Sequence, residues 1–345
     1  MTLAAAGGGK TVRLLKAMLT TACERDCLYC SFRAGQDCRR ETFRPDEMAR
    51  LYARIHRAGL VDGLFLSTGI LKGGANTQDR LLDTAEILRG RLGYRGYLHL
   101  KIMPGAERGQ VRRAMQLADR VSVNLEAPNP GRLERLAPHK GFEEELVAPL
   151  RWVNELRHEM DEGSAWRGRM PSSATQFVVG AAGETDLEIL STSERLLCSF
   201  GLTRVYYMAF NPVQGTPLEN HPAEDPIREH RLYQASFLIR DYGFDLEDLP
   251  FGGDGRLPLE RDPKQGYAEA HLRHRPVELS LAGRDELLRV PGIGPRGAEA
   301  ILRARREADG LRDLRDLRRL GIVAERAAPW VTLRGRAAPI QLPLL

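Results

Sequence analysis

Short apolar runs alternate with longer amphipathic stretches between about residues 11 and 241. The apolar runs predict strands, and their sequences are VRLLKAMLT, GLFLST, GYLHLKIM, RVSVNLE, ATQFVVG and RVYYMAF. The amphipathic stretches have apolar residues at helical spacing, and they cover residues 46–58, 79–92, 107–118, 143–156, 185–200 and 228–242. This alternation predicts an α/β fold with a parallel sheet and outer helices. Six such units are too few for a closed eight-stranded barrel, so we expect a partial (β/α)6 barrel of the TIM type.

The alternation ends near residue 249. The following segment, residues 250–276, is rich in Gly and Pro, which is typical of a connection. Helical spacing then returns. We therefore predict four segments: a flexible tail at 1–10, the barrel at 11–249, a linker or extension packed on the barrel at 250–279, and a small all-α domain at 280–345.

Composition places the chain among folded proteins. Its 345 residues are 42% hydrophobic and 28% charged, which leaves room for an α/β domain and a small second one. No apolar run reaches the roughly 18 residues of a membrane-spanning helix, and the N-terminus lacks the basic and apolar regions of a signal peptide. We expect a cytoplasmic protein without membrane association. Five cysteines in a reducing compartment argue against a disulfide framework.

The net charge of +5 is concentrated at the C-terminal end. Residues 280–345 contain thirteen arginines, no lysine and eight acidic residues, so this segment carries the whole excess. Guanidinium groups match phosphate oxygens in fork geometry, and such a segment suits a phosphate-bearing partner. The alternative is a solvated surface in an arginine-rich proteome, and charge alone does not decide between them.

Three cysteines follow the first predicted strand directly. Cys23, Cys27 and Cys30 have the spacing C-x3-C-x2-C, and closely spaced thiolates are soft ligands suited to iron–sulfur clusters. Structural zinc normally takes four ligands in two pairs, and no second pair lies nearby. Three thiolates would leave one iron of a cube open for a ligand. Cys198 differs, because it lies on the apolar face of a predicted helix and is expected in the core.

Polar residues share one face of two predicted strands. In a barrel, alternate residues point inward, and chemistry collects at the carboxyl ends of the strands. Ser122, Asn124 and Glu126 lie on one face of RVSVNLE, and His99 and Lys101 share a face of GYLHLKIM. Buried polar groups need partners or a ligand. His99, Lys101 and Asn124 are therefore candidate catalytic or substrate-binding residues, although a lone inward histidine is often a hydrogen-bonded core residue.

The cysteine spacing, with an aromatic residue before the last cysteine, closely resembles the radical S-adenosylmethionine (SAM) superfamily. The resemblance implies that Cys23, Cys27 and Cys30 bind a [4Fe–4S] cluster and that SAM chelates its fourth iron. Ser67-Thr68-Gly69 stands where the superfamily usually has a Gly-Gly-Glu-like segment, so backbone and hydroxyl oxygens must serve there. The SAM-binding residues that the resemblance implies are Tyr29, Ser67, Thr68, Gly69, Glu126, Gln176, Val178, Met208 and Phe210.

The segment at residues 287–301 has the form of a helix, a Gly292-Ile-Gly294 turn and a second helix, and it resembles a helix-hairpin-helix element. Glycines allow turn conformations closed to other residues, and the second helix would direct its N-terminal amides at an anion. The resemblance implies that the anion is a nucleic-acid phosphate, contacted without sequence reading. The candidate nucleic-acid-binding residues are Arg289, Gly292, Gly294, Arg296 and Arg303. The alternative is a small helical domain that docks on the barrel or on another protein.

The chain also resembles radical SAM proteins assigned to DNA modification or repair. The motifs that carry this resemblance run along nearly the whole chain and include Asp26-Cys-Leu-Tyr-Cys30, His99-Leu-Lys101 and the Gly292-Ile-Gly294 turn. These proteins are often encoded beside a uracil-DNA-glycosylase-like protein. The resemblance implies reductive cleavage of SAM to a 5′-deoxyadenosyl radical that acts on nucleic acid. It also implies an external electron donor and, as partners, DNA and the glycosylase-like protein.

Two other functions remain open at this point. One is an RNA-modifying or small-molecule radical SAM enzyme whose C-terminal module only docks. The other is a DNA-binding assembly factor with a structural cluster. If the substrate is a base within a duplex, it would have to be extruded into the barrel mouth.

Overall fold

The computed structural model describes residues 2–5, 11–306 and 311–337. The chain divides into two units, one formed by Met1–Glu184 with Arg195–Glu224 and the other by Thr185–Glu194 with Asp225–Leu345. The second unit therefore begins well before residue 280, where the sequence analysis placed the C-terminal domain. Among the described helices, none is long and apolar enough to cross a membrane.

The first unit contains one sheet, which has seven strands within the described residues. Their order in space follows the chain: β1 Thr2–Ala5, β2 Thr11–Met18, β3 Gly63–Ser67, β4 Tyr97–Lys101, β5 Arg120–Ser122, β6 Ser172–Val179 and β7 Arg204–Ala209. Strands β2 to β7 pair in parallel and form a curled half-barrel, which confirms the predicted α/β class and the partial barrel.

Strand β1 pairs with β2 in antiparallel orientation, with Ala5 opposite Thr11. The sequence pattern predicts a flexible tail at residues 1–10, whereas residues 2–5 form strand β1. Residue 1 and residues 6–10 lie outside the described part of the chain.

Helices follow the strands of the half-barrel as the amphipathic spacing predicts. They are α1 Pro45–Arg57, α2 Gly74–Glu86, α3 Arg108–Leu117, α4 Pro130–Glu134, α5 Ala148–Glu159, α6 Asp186–Ser199 and α7 Pro226–Tyr242. A π-helical segment, Ile87–Arg91, continues α2, and a second, Phe142–Val147, precedes α5. Two 3-10 turns, Glu162–Ser164 and Trp166–Gly168, lie between α5 and β6.

Cys198 near the end of α6 is exposed, so its predicted place in the core is wrong. Cys198 lies two positions after the buried Leu196, and residues two apart on a helix point in different directions. Cys198 therefore lies outside the apolar face of α6.

Strand periodicity determines which side chains enter the barrel interior. Leu64 and Leu66 of β3 and Leu98 and Leu100 of β4 are fully buried. Because successive side chains of a strand point to opposite faces, the intervening residues face the other side of the sheet. Strand register arranges these residues in two rows. The middle row contains Lys16, Phe65, His99, Arg120 and Ser172. The upper row contains Met18, Ser67, Lys101, Ser122 and Ala174.

The second unit has its own apolar core, with Leu287, Ile293, Ile301 and Trp330 among its buried residues. Its remaining helices are α8 Pro263–His271, α9 Arg284–Arg289, α10 Pro295–Ala304, α11 Leu314–Arg319 and α12 Ala324–Ala327, with 3-10 turns at Leu246–Asp248 and Ala328–Trp330. Its three described strands pair in the order β10-β9-β8 and are β8 Val277–Glu278, β9 Val331–Leu333 and β10 Arg336–Ala337. The unit is therefore not all-α, contrary to the prediction.

The predicted linker at 250–279 also differs from the structure. Ala268 and Leu272 of α8 and Val277 of β8 are buried in the core of the second unit. The Gly and Pro residues that suggested a linker lie mostly before α8, whereas the apolar residues after them supply part of the core.

Candidate active site

The three cysteines lie on a loop after β2 that is held together by polar contacts. The guanidinium of Arg40 donates hydrogen bonds of 2.8–3.0 Å to four backbone carbonyls of this loop, those of Thr21, Phe32, Arg33 and Gln36. Loops without apolar packing depend on such bonds to satisfy their backbone groups. Arg40 therefore sets the path of the chain around the cysteines.

The end of β3 closely approaches the cysteine loop. The Gly69 N–H donates to the Thr20 carbonyl at 2.7 Å, and a Cβ atom at position 69 would come within 2.2 Å of the Ala22 carbonyl oxygen. Only glycine permits this approach. The next backbone N–H, that of Ile70, lies 3.4 Å from the Cys23 Sγ. Gly69 thus brings a backbone donor against one of the thiols.

All three thiols line one cavity of about 250 Å³. Burial raises the pKa of the Cys27 and Cys30 thiols above the ordinary value. The Phe32 N–H points at the Cys30 Sγ from 3.4 Å. Three soft donors at one cavity, two of them approached by backbone N–H groups, are a suitable ligand set for an iron–sulfur cluster.

A buried ion pair forms the opposite wall of the cavity. The Lys140 Nζ lies 3.2 Å from the Glu126 Oε1, and the two side chains are 8% and 5% exposed. Tyr29 lines the same cavity beside this pair. Burial alone would raise the pKa of Glu126, but the charges of Lys140 and Lys101 hold it below its usual value. Burial also opposes the charge of Lys140, yet Glu126 raises its pKa above the ordinary value. Both groups are therefore charged at neutral pH.

The backbone at Glu126 is strained. Its φ is +65°, in the left-handed region that non-glycine residues rarely adopt. Two hydrogen bonds to the neighbouring strand hold it there, from the Glu126 N–H to the Gln176 carbonyl at 2.9 Å and from the Val178 N–H to the Glu126 carbonyl at 2.8 Å. Such strain is retained where the surrounding structure requires it, often at functional sites. Here it directs a carboxylate into the cavity.

Unpartnered polar groups face the same cavity. The Ser67 hydroxyl, the Asn124 amide and the Lys101 ammonium line it, and within the described residues none of them makes a side-chain hydrogen bond. All three groups are half-buried and open to the cavity. A polar ligand such as SAM would supply hydrogen-bond partners for them, so the residues present fit both the cluster and the cosubstrate.

Comparison with known proteins identifies the family. The family model of the radical SAM superfamily matches residues 18–194, about half of the chain. The chain belongs to the radical SAM superfamily. This superfamily of enzymes uses a [4Fe–4S] cluster and SAM, and Cys23, Cys27 and Cys30 fit its motif, which confirms the predicted cofactors.

Solved structures of radical SAM proteins are similar in fold. The [FeFe]-hydrogenase maturase HydG from Carboxydothermus hydrogenoformans has 16% sequence identity and a TM-score of 0.50, over 66% of this chain and 51% of HydG. Methylornithine synthase (PylB) has 17% identity and a TM-score of 0.50, over 81% of this chain and 68% of PylB. The chain thus spans about half the length of HydG, and at these identities the likeness shows the fold alone. No curated protein is significantly similar to the chain in sequence.

The cavity beside the three cysteines gathers most of the predicted SAM-binding residues. Those that line it are Tyr29, Ser67, Thr68, Gly69, Glu126 and Gln176. Val178, Met208 and Phe210 do not line the described cavity. Val178 and Phe210 are buried, and Met208 is 40% exposed at the end of β7.

Two of the three candidate substrate-binding residues line the same cavity. Lys101 and Asn124 line the cavity, whereas His99 does not. The His99 Nε2 lies 2.8 Å from the Ser122 hydroxyl, and the imidazole packs on Phe65 with ring centroids 4.6 Å apart. Burial, and then the nearby charge of Arg120, lower the pKa of His99 to about 3. His99 is thus a neutral, hydrogen-bonded residue of the middle row.

Sequence reasoning missed two charged residues of the cavity, Lys140 and Arg25. Arg25 lies within the cysteine motif, lines the cavity and pairs with Glu145. Its position in the motif was a signal that could have been used. Lys140 lies between α4 and the second π-helical segment, where nothing in the local pattern distinguishes it. Only the need of a buried Glu126 for a cation could have suggested it.

The second unit contains a helical hairpin, which consists of α9, the turn at residues 290–294 and α10. We name it the C-terminal hairpin. Gly292 has a φ of +87°, and a Cβ there would come within 2.6 Å of the Val323 carbonyl oxygen. Gly294 directly precedes α10. Arg296 and Arg303 are exposed on α10, where they could meet an anion.

Arg289, also predicted to bind nucleic acid, makes contacts within the second unit. Its guanidinium donates to the Gly243 carbonyl at 2.9 Å and pairs with Asp248 at 2.8 Å. It also lies over the Phe244 ring, 4.0 Å from the centroid. These contacts are internal to the second unit, and they commit the Arg289 charge to the packing of the hairpin.

Proposed function

We propose that this chain is an enzyme that reductively cleaves SAM and uses the resulting radical to modify or repair DNA. The observation that carries the proposal is the convergence of three cysteine thiols and the buried Glu126–Lys140 pair on one cavity. When bound, the cluster and SAM would supply one electron for cleavage of the sulfonium and a 5′-deoxyadenosyl radical that removes a hydrogen atom from the substrate.

The residues of the cavity would bind and orient the cosubstrate. Glu126, held ionised by its neighbours, is an acceptor for ribose hydroxyls. The Ser67 hydroxyl, which has no hydrogen-bond partner within the described residues, can accept from the ammonium group of SAM. This hydroxyl takes the part of the acidic residue that the superfamily usually has in this segment.

The C-terminal hairpin supports a nucleic-acid substrate. We infer that it is a helix-hairpin-helix element, because a left-handed Gly292 shapes a turn that leads directly into α10. Arg296 and Arg303 are exposed on that helix, and residues 280–345 carry the net charge of the chain. Phosphate contacts of this kind position a protein on nucleic acid without reading its sequence. The glycosylase-like partner and the external electron donor remain part of the proposal.

SAM cleavage is the first test. Anaerobically reconstituted protein with dithionite and SAM should release 5′-deoxyadenosine, and C27A should release none. C38A is the matched control, because Cys38 lies on the same loop but donates to the Ser31 carbonyl and does not line the cavity. If the wild type retains its cluster but yields no 5′-deoxyadenosine, the assembly-factor alternative replaces the proposal.

The substrate needs a separate test. Duplex DNA should bind with an affinity that falls with salt concentration, and G294A should weaken this binding without changing SAM cleavage. Mass spectrometry of nucleosides from cells with and without the gene should then show a DNA nucleoside that depends on the enzyme. A change confined to RNA nucleosides would identify an RNA-modifying enzyme instead.

A further inference from the structure

Residues 136–140 lie between α4 and the second π-helical segment and pack against the cysteine loop, and we name them the anchoring segment. The Leu28 N–H donates to the Leu136 carbonyl at 2.7 Å. The His139 Nδ1 lies 2.6 Å from the Asp26 Oδ2. Leu28 and Asp26 stand on either side of the second cysteine of the motif. The anchoring segment is thus attached directly beside a proposed cluster ligand.

Arg25 of the cysteine loop adds a further attachment. Its guanidinium donates to the His139 carbonyl and pairs with the Glu145 carboxylate of the second π-helical segment. The other oxygen of Glu145 accepts from the Gly141 N–H at 2.7 Å, just after the anchoring segment. Both partners of the ion pair are partly buried, and such pairs are screened by salt less than exposed pairs. The cysteine loop therefore binds the anchoring segment and the residues that follow it.

Lys140, the last residue of the anchoring segment, extends from it into the cavity. Its N–H donates to the Ala137 carbonyl at 3.0 Å, which closes a turn within the segment. Its ammonium lies 3.2 Å from the Glu126 Oε1, and both side chains line the cavity and are almost fully buried. A segment that is attached to the cysteine loop thus also binds the carboxylate that follows β5.

The Glu126 carboxylate is constrained from two directions. Its backbone has a φ of +65° and is hydrogen-bonded to β6 on both sides, and Lys140 binds its Oε1. An ionised carboxylate has about four acceptor positions, so a ligand can use those that Lys140 leaves. A buried ion pair adds little net stability. What the pair provides here is a fixed direction for an acceptor in the cavity.

We propose that Lys140 is a positioning residue for SAM, which holds the Glu126 carboxylate at the ribose and at a fixed place relative to the cysteine loop. Lys140 acts through Glu126 in this role. A carboxylate that is already oriented costs less ordering when the ligand binds. The proposal rests on the proposed function for one point, that SAM binds with its ribose beside Glu126.

Equilibrium binding to the reconstituted, oxidised holoenzyme tests this role. Anaerobic calorimetry without a reductant would measure the Kd of SAM and of L-methionine, which has the amino and carboxylate groups of SAM but no ribose. K140M and E126Q should each weaken SAM binding about tenfold to a hundredfold, the usual effect of losing one charge-assisted hydrogen bond. Neither variant should change the binding of methionine.

A double-mutant cycle shows whether Lys140 acts through Glu126. K140M/E126Q should bind SAM as E126Q does, because a positioning residue has no further effect once the carboxylate is gone. The double variant strands no charge, so its comparison with E126Q and the wild type holds even where K140M does not retain its cluster. K140R keeps the charge and should recover most of the affinity that K140M loses. R50M removes a charge from the exposed surface of α1 and should bind both ligands as the wild type does.

Three results would overturn the role of Lys140. They are SAM binding by K140M that equals that of R50M, equal weakening of SAM and methionine, and a double variant that is weaker than E126Q by the full factor seen for K140M. The visible absorbance of the cluster checks that each variant is loaded. Because no reductant is present, failure of the wild type to release 5′-deoxyadenosine in the separate cleavage assay would refute the proposed function and leave these binding results intact.

Discussion

The Lys140 ammonium lies 3.2 Å from the Glu126 carboxylate, and both side chains are almost fully buried although fourteen residues separate them in sequence. A buried pair contributes little net stability, but the loss of one partner leaves an uncompensated charge. The position of Glu126 in the cavity therefore depends on Lys140.

Lys140→Met should lower the free energy of unfolding by about 3–5 kcal/mol, because it strands the Glu126 charge in the cavity. Chemical denaturation of the cluster-free protein measures this change. The double variant K140M/E126Q should recover much of the loss, since it removes both charges. If the single and double variants are equally unstable, the lost stability comes from packing and not from the stranded carboxylate.

Gly69→Ala should reduce cluster incorporation strongly. The added Cβ would meet the Ala22 carbonyl oxygen at 2.2 Å, and the cysteine loop would have to move away from the end of β3. Iron and sulfide content after reconstitution, together with visible absorbance, reports the effect. Gly90→Ala is the matched control, because nothing lies within 4 Å of a Cβ at position 90. Full iron loading of G69A would contradict the structural role given to Gly69.

The arginines near the C-terminal hairpin should separate into two classes. R296M and R303M remove exposed charges, so each should weaken DNA binding and reduce the dependence on salt by about one phosphate contact. R289M should instead lower stability by about 1–3 kcal/mol, because it leaves Asp248 and the Gly243 carbonyl without their partner. Fluorescence anisotropy across a salt series and thermal unfolding measure the two effects. Loss of DNA affinity in R289M at unchanged stability would place Arg289 at the interface.

The sequence predicts those features that repeat along the chain. Alternating apolar residues located β2 to β7, and the same alternation placed Lys101 on the face that lines the cavity. The Glu126–Lys140 pair escaped prediction because no periodicity connects a strand end to a loop residue. Strands β8 to β10 were missed because each has only two or three residues, too few for an alternating pattern. Helix α8 was hidden by the Gly and Pro residues before it, although Ala268 and Leu272 are core residues.

Lys264 should make the stability of the second unit depend on pH. Its ammonium donates to the Ile293 carbonyl at 2.6 Å, within the turn of the C-terminal hairpin, and lies over the Tyr242 ring. Burial lowers its pKa from 10.5 to about 7. A base with a lowered pKa binds more protons in the unfolded chain between those two values, so stability should rise with pH from about 7 to about 10.5 and level off on either side.

Lys264→Met should remove this dependence, because methionine keeps much of the apolar stem but cannot bind a proton. The measurement is the free energy of unfolding of wild type and K264M at several pH values, with the difference between them plotted against pH. The free energy of unfolding of the wild type should increase relative to that of K264M as pH rises from about 7 to about 10.5. The other titrating groups are common to both proteins and cancel in the difference. A difference that stays constant from pH 7 to pH 10 would mean that Lys264 keeps an ordinary pKa in the folded state, and its bond to the hairpin turn would then be that of a fully charged ammonium.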